Sequence, residues 1–283
     1  MPPPHKNIFN TIPYDIINYI ASFLSEYELL PELEPYIHKL DKRYLSENPN
    51  AVTFLEKHPH LIDNYGIALN PNAVNLIMER QDNICWYNLS LNTSPDIVKM
   101  LLNNPHHINL FLFASNTNDD AVSFLLDRRD HMCVNGFSSN SNTKAVMFML
   151  KDENRDDINY FHFSTNTNDI AVKHLLENRH LINYTTFCRN SNDAAVQHLL
   201  ENQHLIDYTQ FSLNENDMAV KYLIEHHQDK INYSNFSQNA NRYAIKHLLE
   251  NKDRIHYMFL SRNPSIFTLS NRDMMERLGV TPP

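Results

Sequence analysis

The sequence predicts an all-α protein, an α-solenoid of about ten short helix pairs with an N-terminal helical module. Three observations predict it. A small or aliphatic residue opens an apolar run at Ala51, Ala73, Ile97, Ala121, Ala145, Ala171, Ala195, Ala219, Ala244 and Ile266, mostly in steps of 24, with 22 to 26 as outliers. Each run follows helical spacing, as in Ala195, Val196, Leu199 and Leu200. Cap residues stand just ahead of each run. A fixed period in the twenties means stacked units, none of which can bury its apolar side alone.

The chain divides into four parts. Residues 1–10 are Pro-rich and polar and read as a disordered tail. Residues 11–47 form a helical module. Ile16, Ile17, Ile20, Phe23 and Leu24 share one helical face, with Pro13 suited to the first turn. A second helical stretch, Glu26–Leu33, leads to Pro35 and then to Ile37–Leu45. Residues 48–269 are the repeat array, and residues 270–283 are a C-terminal capping helix and tail carrying Met274, Met275 and Leu278.

Within the array, Asn48, Asn70, Ser94, Asn118, Asn142, Asn168, Asn192, Asn216, Asn241 and Asn263 stand three residues before the small residue. All are N-cap types, whose side chains accept from orphan backbone N–H groups. Pro or Asp usually follows, which suits a helix start. A helix of about ten residues comes next. After a short loop, Asp63, Asn109, Asn159, Asn183, Asp207 and Asn232 mark a second, shorter helix. Ile206 and Phe211 flank the Asp207 cap as a hydrophobic staple, as Ile182 and Phe187 flank Asn183. Only three glycines are present, so Asn92, Asn116, Asn140, Asn166, Asn190, Asn214 and Asn239 are expected to take the left-handed turns between units. Extra residues of the longer units fall in 152–157 and near 226–229, between the two helices, where loops tolerate length change.

The units resemble the Asn-rich short helical repeats of large DNA viruses of protists, which carry Asn-Pro-Asn-Ala followed by leucines; Asn48–Ala51 and Asn70–Ala73 have that form. The resemblance covers most of the chain and implies a viral protein without naming an activity. The stretch Ile12-Pro13-Tyr14-Asp15-Ile16 through Phe23-Leu24, with Asp41-Lys42-Arg43-Tyr44 as closing element, resembles an F-box. The same closing segment also reads as a degenerate leading repeat, because His38–Asp41 sits ten residues before Ala51 just as His60–Asp63 precedes Ala73. It would then cap the array.

Composition excludes several functions. A net charge of −9 with no basic stripe disfavours nucleic acid. No apolar run is long enough for a membrane span, and the N-terminus carries no secretory signal core. Cys85, Cys133 and Cys188 have no paired spacing and read as reduced thiols of a cytoplasmic protein, in the host cell's cytoplasm if viral. Of the sixteen histidines, His60, His131, His180 and His204 form one row and His174, His198 and His247 another, one per layer and too widely spaced to share an ion, while the pairs His106-His107 and His226-His227 point apart on a helix, so no metal or cofactor is expected. No catalytic triad, paired carboxylate or phosphate loop stands out, so no enzyme is expected.

What is left is protein interaction. On the longer helices Phe124, Phe148, His174, His198, Tyr222 and His247 occupy one repeat position at the border of the apolar stripe. That row is either a partner surface or a seal between layers. The expected function is a scaffold. The F-box resemblance implies docking of a Skp1-type adaptor on Ile12, Pro13, Ile16 and Ile20, with the array presenting a target to a ubiquitin ligase. The alternative is a structural component of a virus particle, with the array as spacer.

Overall fold

A computed structural model describes residues 26–128 and 133–269. The two-helix unit is present throughout. Longer helices such as Asp169–Glu177, Asp193–Glu201, Asp217–His226 and Arg242–Glu250 alternate with short ones such as Tyr184–Phe187, Tyr208–Phe211 and Tyr257–Leu260. A 3-10 turn joins the two helices of a unit, as at Gln203–Leu205, and the longer unit extends it to Asp152–Asp157. The second caps act as expected: Asp207 accepts from the N–H groups of Thr209 and Gln210. The staple residues Ile206 and Phe211 are both buried.

The repeated Asn residues do something the backbone argument did not foresee. At Asn48 and Asn140 the backbone is extended, with φ of −69° and −70°, so the left-handed turn is absent there. The side chain is what the repeat preserves. Asn48, Asn70, Asn92, Asn116, Asn140, Asn166, Asn190, Asn214, Asn239 and Asn263 are all essentially buried. Each Nδ2 donates to two main-chain oxygens of the preceding unit, at 2.6–3.1 Å. Each Oδ1 accepts the N–H two residues further on, as Asn190 does from Asn192. A buried amide left unpaired is costly, and here its two donors and its oxygen are all engaged.

This ladder corrects the cap register at two units. Asn48 and Asn70 belong to the buried ladder and do not cap the longer helices, which start after Ala51 and Ala73; Asn263 belongs to the ladder and also caps the turn Pro264–Ile266 by accepting from Ser265 N–H. In most units a second Asn, such as Asn192, caps the longer helix by accepting from Ala194 N–H, while its own Nδ2 donates to the previous unit at Thr167 O and Asp169 Oδ1. The Asn-Pro-Asn-Ala units lack the residues between ladder and helix, which accounts for the 22-residue step. A third series runs through small hydroxyls: Ser46, Ser90, Ser138, Ser164, Ser212 and Ser237 each accept the cap N–H of the next short helix. Cys188 stands in that series as a thiol.

The array is closed into a ring. Asn48 takes its two carbonyls from Ser261 and Asn263, so the Asn ladder runs from the last unit into the first. Ser261 Oγ accepts the N–H of Asp41, and Asn50 Nδ2 donates to Pro264 O. Two short strands, β1 (Tyr27–Leu29) and β2 (Phe267–Leu269), pair antiparallel with Tyr27 opposite Leu269. Tyr36 stacks on Tyr257, and Arg262 pairs with Glu47 at 3.2 Å. The tenth unit is therefore shared. The C-terminal side supplies Asn263–Leu269, and the N-terminal side supplies the helix Lys42–Glu47, capped by Asp41. Residues 26–47 thus pack against the last unit, with Asp41 placed as the caps of the other short helices are. The expected helix at Glu26–Leu33 is replaced by β1 and the start of the 3-10 segment Pro31–Lys39. Strand pairing won there because the chain end meets β2 instead of another helix.

Candidate protein interface

The aromatic and His row of the longer helices faces the ring's own interior. Phe148, His198 and His247 are buried, while Phe124, His174 and Tyr222 are half-buried. Each ring lies edge-on against the buried Phe of the preceding short helix. The pairs are Phe113–Phe124, Phe137–Phe148, Phe163–His174, Phe187–His198, Phe211–Tyr222 and Phe236–His247, with centroids 5.8–6.5 Å apart. Such contacts add packing energy beyond area alone. The row therefore packs between the two layers, with Phe124, His174 and Tyr222 left half-buried.

The change from Phe to His along this row is matched on the other side. Tyr160, Tyr184 and Tyr233 place their hydroxyls 3.1–3.3 Å from Nε2 of His174, His198 and His247. At the earlier units Leu110 and Val134 stand fourteen residues before Phe124 and Phe148. An apolar pair is exchanged as a whole for a hydrogen-bonded pair, so no buried ring nitrogen loses its partner. Tyr222 breaks the pattern and bonds His227 Nε2 at 2.9 Å. Burial holds His174, His198 and His247 below the ordinary histidine range. Arg155 and Arg179 push His174 and His198 the same way, and Glu177 and Glu201 oppose them. For His247, Glu250 opposes the shift and Arg254 adds to it.

The surface that folding does not use lies elsewhere. Tyr65, Tyr87, Phe111 and Phe161 are 52–62 % exposed. All four occupy the second position of a short helix. Asn135 interrupts the series, and the equivalent residues further on are Thr185, Thr209 and Ser234. Four of the ten short helices among the described residues thus carry an exposed aromatic there, while Thr185, Thr209 and Ser234 are polar at the same place and Met258 is 38 % exposed. Tyr65, Tyr87 and Phe111 lie on consecutive units, roughly 8–10 Å apart, and Phe161 lies two units beyond Phe111. Arg43 lies over the Tyr65 ring at 5.9 Å. The column is legible in the sequence as Tyr65, Tyr87, Phe111, Asn135, Phe161, Thr185, Thr209, Ser234 and Met258, one residue after the start of each short helix.

Ile12, Pro13, Ile16 and Ile20 lie outside the described residues. Among the described residues no group of three His, Cys, Asp or Glu side chains converges on a point, and no helix is long and apolar enough to cross a membrane. No family model matches the chain, and neither a curated protein nor a solved structure matches it.

Proposed function

We propose that the chain is a non-enzymatic protein-interaction scaffold whose ring presents the arc Tyr65, Tyr87, Phe111 and Phe161 to a protein partner. The arc carries this reading. Large exposed aromatics set side by side mark interaction sites, and aromatic residues dominate interface energies. Thr185, Thr209 and Ser234 at the same place in other units argue that the fold itself does not need an aromatic there.

The test is affinity capture from source-cell lysate with the intact protein and with Y65S/Y87S/F111S/F161S. A partner held by the first and lost by the second, with helicity and melting unchanged, supports the reading. A partner retained by the quadruple variant would sink it.

The ubiquitin-ligase version adds docking of a Skp1-type adaptor on Ile12, Pro13, Ile16 and Ile20. Its closing element, Asp41–Tyr44, belongs to the ring, so that version rests on the Ile12–Leu24 motif. Co-purification with the adaptor, abolished by I16D/I20D, is its test. The second reading is a structural or assembly component of a virus particle; abundant presence in purified particles would favour it, and absence from them would count against it.

A further inference from the structure

The surface around the exposed aromatics has a chemistry of its own. The short helices Asn64–Ile67, Trp86–Leu89, Leu110–Phe113, Val134–Ser139 and Tyr160–Phe163 contain no Asp, Glu, Lys or Arg, in a chain of net charge −9. The cap Asp63 is already committed, accepting from the N–H groups of Tyr65 and Gly66. One turn beyond Tyr65 and Tyr87, Leu69 and Leu91 are half-buried and extend the apolar surface. Charge enters at one end. Arg43 holds the second position of the helix Lys42–Glu47, the place the aromatics take in later units. Its side chain is 57 % exposed and lies 3.9 Å from Glu47, which sits closer to Arg262, at 3.2 Å.

Resting on the reading of the arc as an interface, we propose that it holds a proline-rich segment of a partner protein in the polyproline II form, with an acidic residue over Arg43. Spacing selects the form. Polyproline II brings every third residue back to one face after roughly 9.3 Å, which matches layers roughly 8–10 Å apart. Six of its residues rise roughly 19 Å, against roughly 16–20 Å from Tyr65 to Phe111. A strand returns to one face every ~6.6 Å and falls out of step. A helix returns after seven residues, ~10.5 Å, and overshoots. Prolines dock on aromatic surfaces, and their preset backbone loses little entropy in doing so. The closed array fixes the spacing of the aromatics, so a stiff template meets a stiff ligand. At the fourth step Asn135 interrupts the row, its Oδ1 accepting from Asn159 Nδ2 at 2.7 Å, and no proline is needed there. The guanidinium of Arg43 then sets the charge wanted at the end of the ligand.

Fluorescence anisotropy on the full chain tests this. The probe is a labelled peptide of about fifteen residues, with proline at every third place, alanine and glutamine between, and an aspartate at one end. It should bind about tenfold or more tighter than the same peptide with alanine for each proline. The variant Y65S/Y87S/F111S/F161S should weaken it by about tenfold or more. Lysine in place of the aspartate should weaken binding about threefold, a difference that Arg43→Gln should erase. Absence of saturable binding below about 1 mM overturns the proposal, as does equal binding of the alanine peptide or equal binding by the quadruple variant. A lysate partner captured through the arc but lacking such a segment would leave the interface standing and sink the proline ligand. Self-association of the chain in sedimentation, lost in the quadruple variant, would make a second copy the occupant and overturn it too.

Discussion

The side-chain amide of Asn48 donates to the main-chain oxygens of Asn263 and Ser261, at 2.8 and 3.1 Å, across nearly the whole length of the chain. It repeats the bonds that Asn190 makes to Asn166 and Ser164 inside the array. The seam is thus built from the same amide geometry as every other junction.

Asn48→Ala and Asn190→Ala should cost similar amounts. Each strips two buried carbonyls and one backbone N–H of their partner. At roughly 1–3 kcal/mol per buried group, the loss is about 3 kcal/mol or more. Urea unfolding measures it. A cost under about 1 kcal/mol for Asn48→Ala, beside a full cost for Asn190→Ala, would mean the ring stands open in solution.

Gly66→Ala should destabilise more than Gly136→Ala. A Cβ at Gly66 would lie 2.1 Å from the Arg43 carbonyl oxygen, on the backbone of the neighbouring short helix. At Gly136 the nearest atoms, the Ala114 Cβ and Ser115 Oγ, are 2.9 Å away. Overpacking of the first kind costs about 1–3 kcal/mol or more. Thermal melts of the two variants should rank in that order.

Stability should fall as the pH drops below about 6.5, the unfolded histidine value. His174, His198 and His247 are held lower in the ring, so the unfolded chain takes up protons that the native state refuses. Their contribution is fully present above that pH and is lost as pH falls toward their native values. Glu47 and Glu215, raised by burial, act with the opposite sign near the carboxylate range. H174F/H198F/H247F, which copies Phe124 and Phe148, should flatten the acid slope. An unchanged slope in denaturant midpoints between pH 7 and 5 would count against these three as its source.

Cys188 should be the slowest thiol to label. It is buried, and burial pushes its pKa up to about 11, so little thiolate forms at neutral pH. Cys85 and Cys133 are half-buried. Cys188→Ser should keep or raise stability by up to about 1 kcal/mol, because a hydroxyl replaces a weak sulfur acceptor for the Asp207 N–H. Labelling kinetics and melting temperature check the two halves.

Much of the fold was legible in the sequence because its signals are local. The apolar stripe of Ala195, Val196, Leu199 and Leu200, the cap at Asp207 and the staple of Ile206 and Phe211 each speak for a few neighbouring residues. Closure was not legible, because it depends on a small rotation per unit that adds up around the whole circle, and no single residue carries it. The role of Asn190 is hidden for a related reason. Backbone preference explains an Asn in a turn cheaply, and the alternative required knowing that Ser164 O and Asn166 O lie within reach. A helical wheel likewise places His198 at a border but cannot show Phe187 packed against it.

An open array may lengthen or shorten by whole units, since each new unit meets only its neighbours. The shared tenth unit removes that freedom here. Every unit must turn the chain by one tenth of a circle on average, or Asp41 and Ser261 will not meet. Duplicating or deleting a single copy should therefore leave a gap or an overlap at the join. For this protein the number of units is a structural constant, set by geometry in the way that strand number sets the width of a barrel.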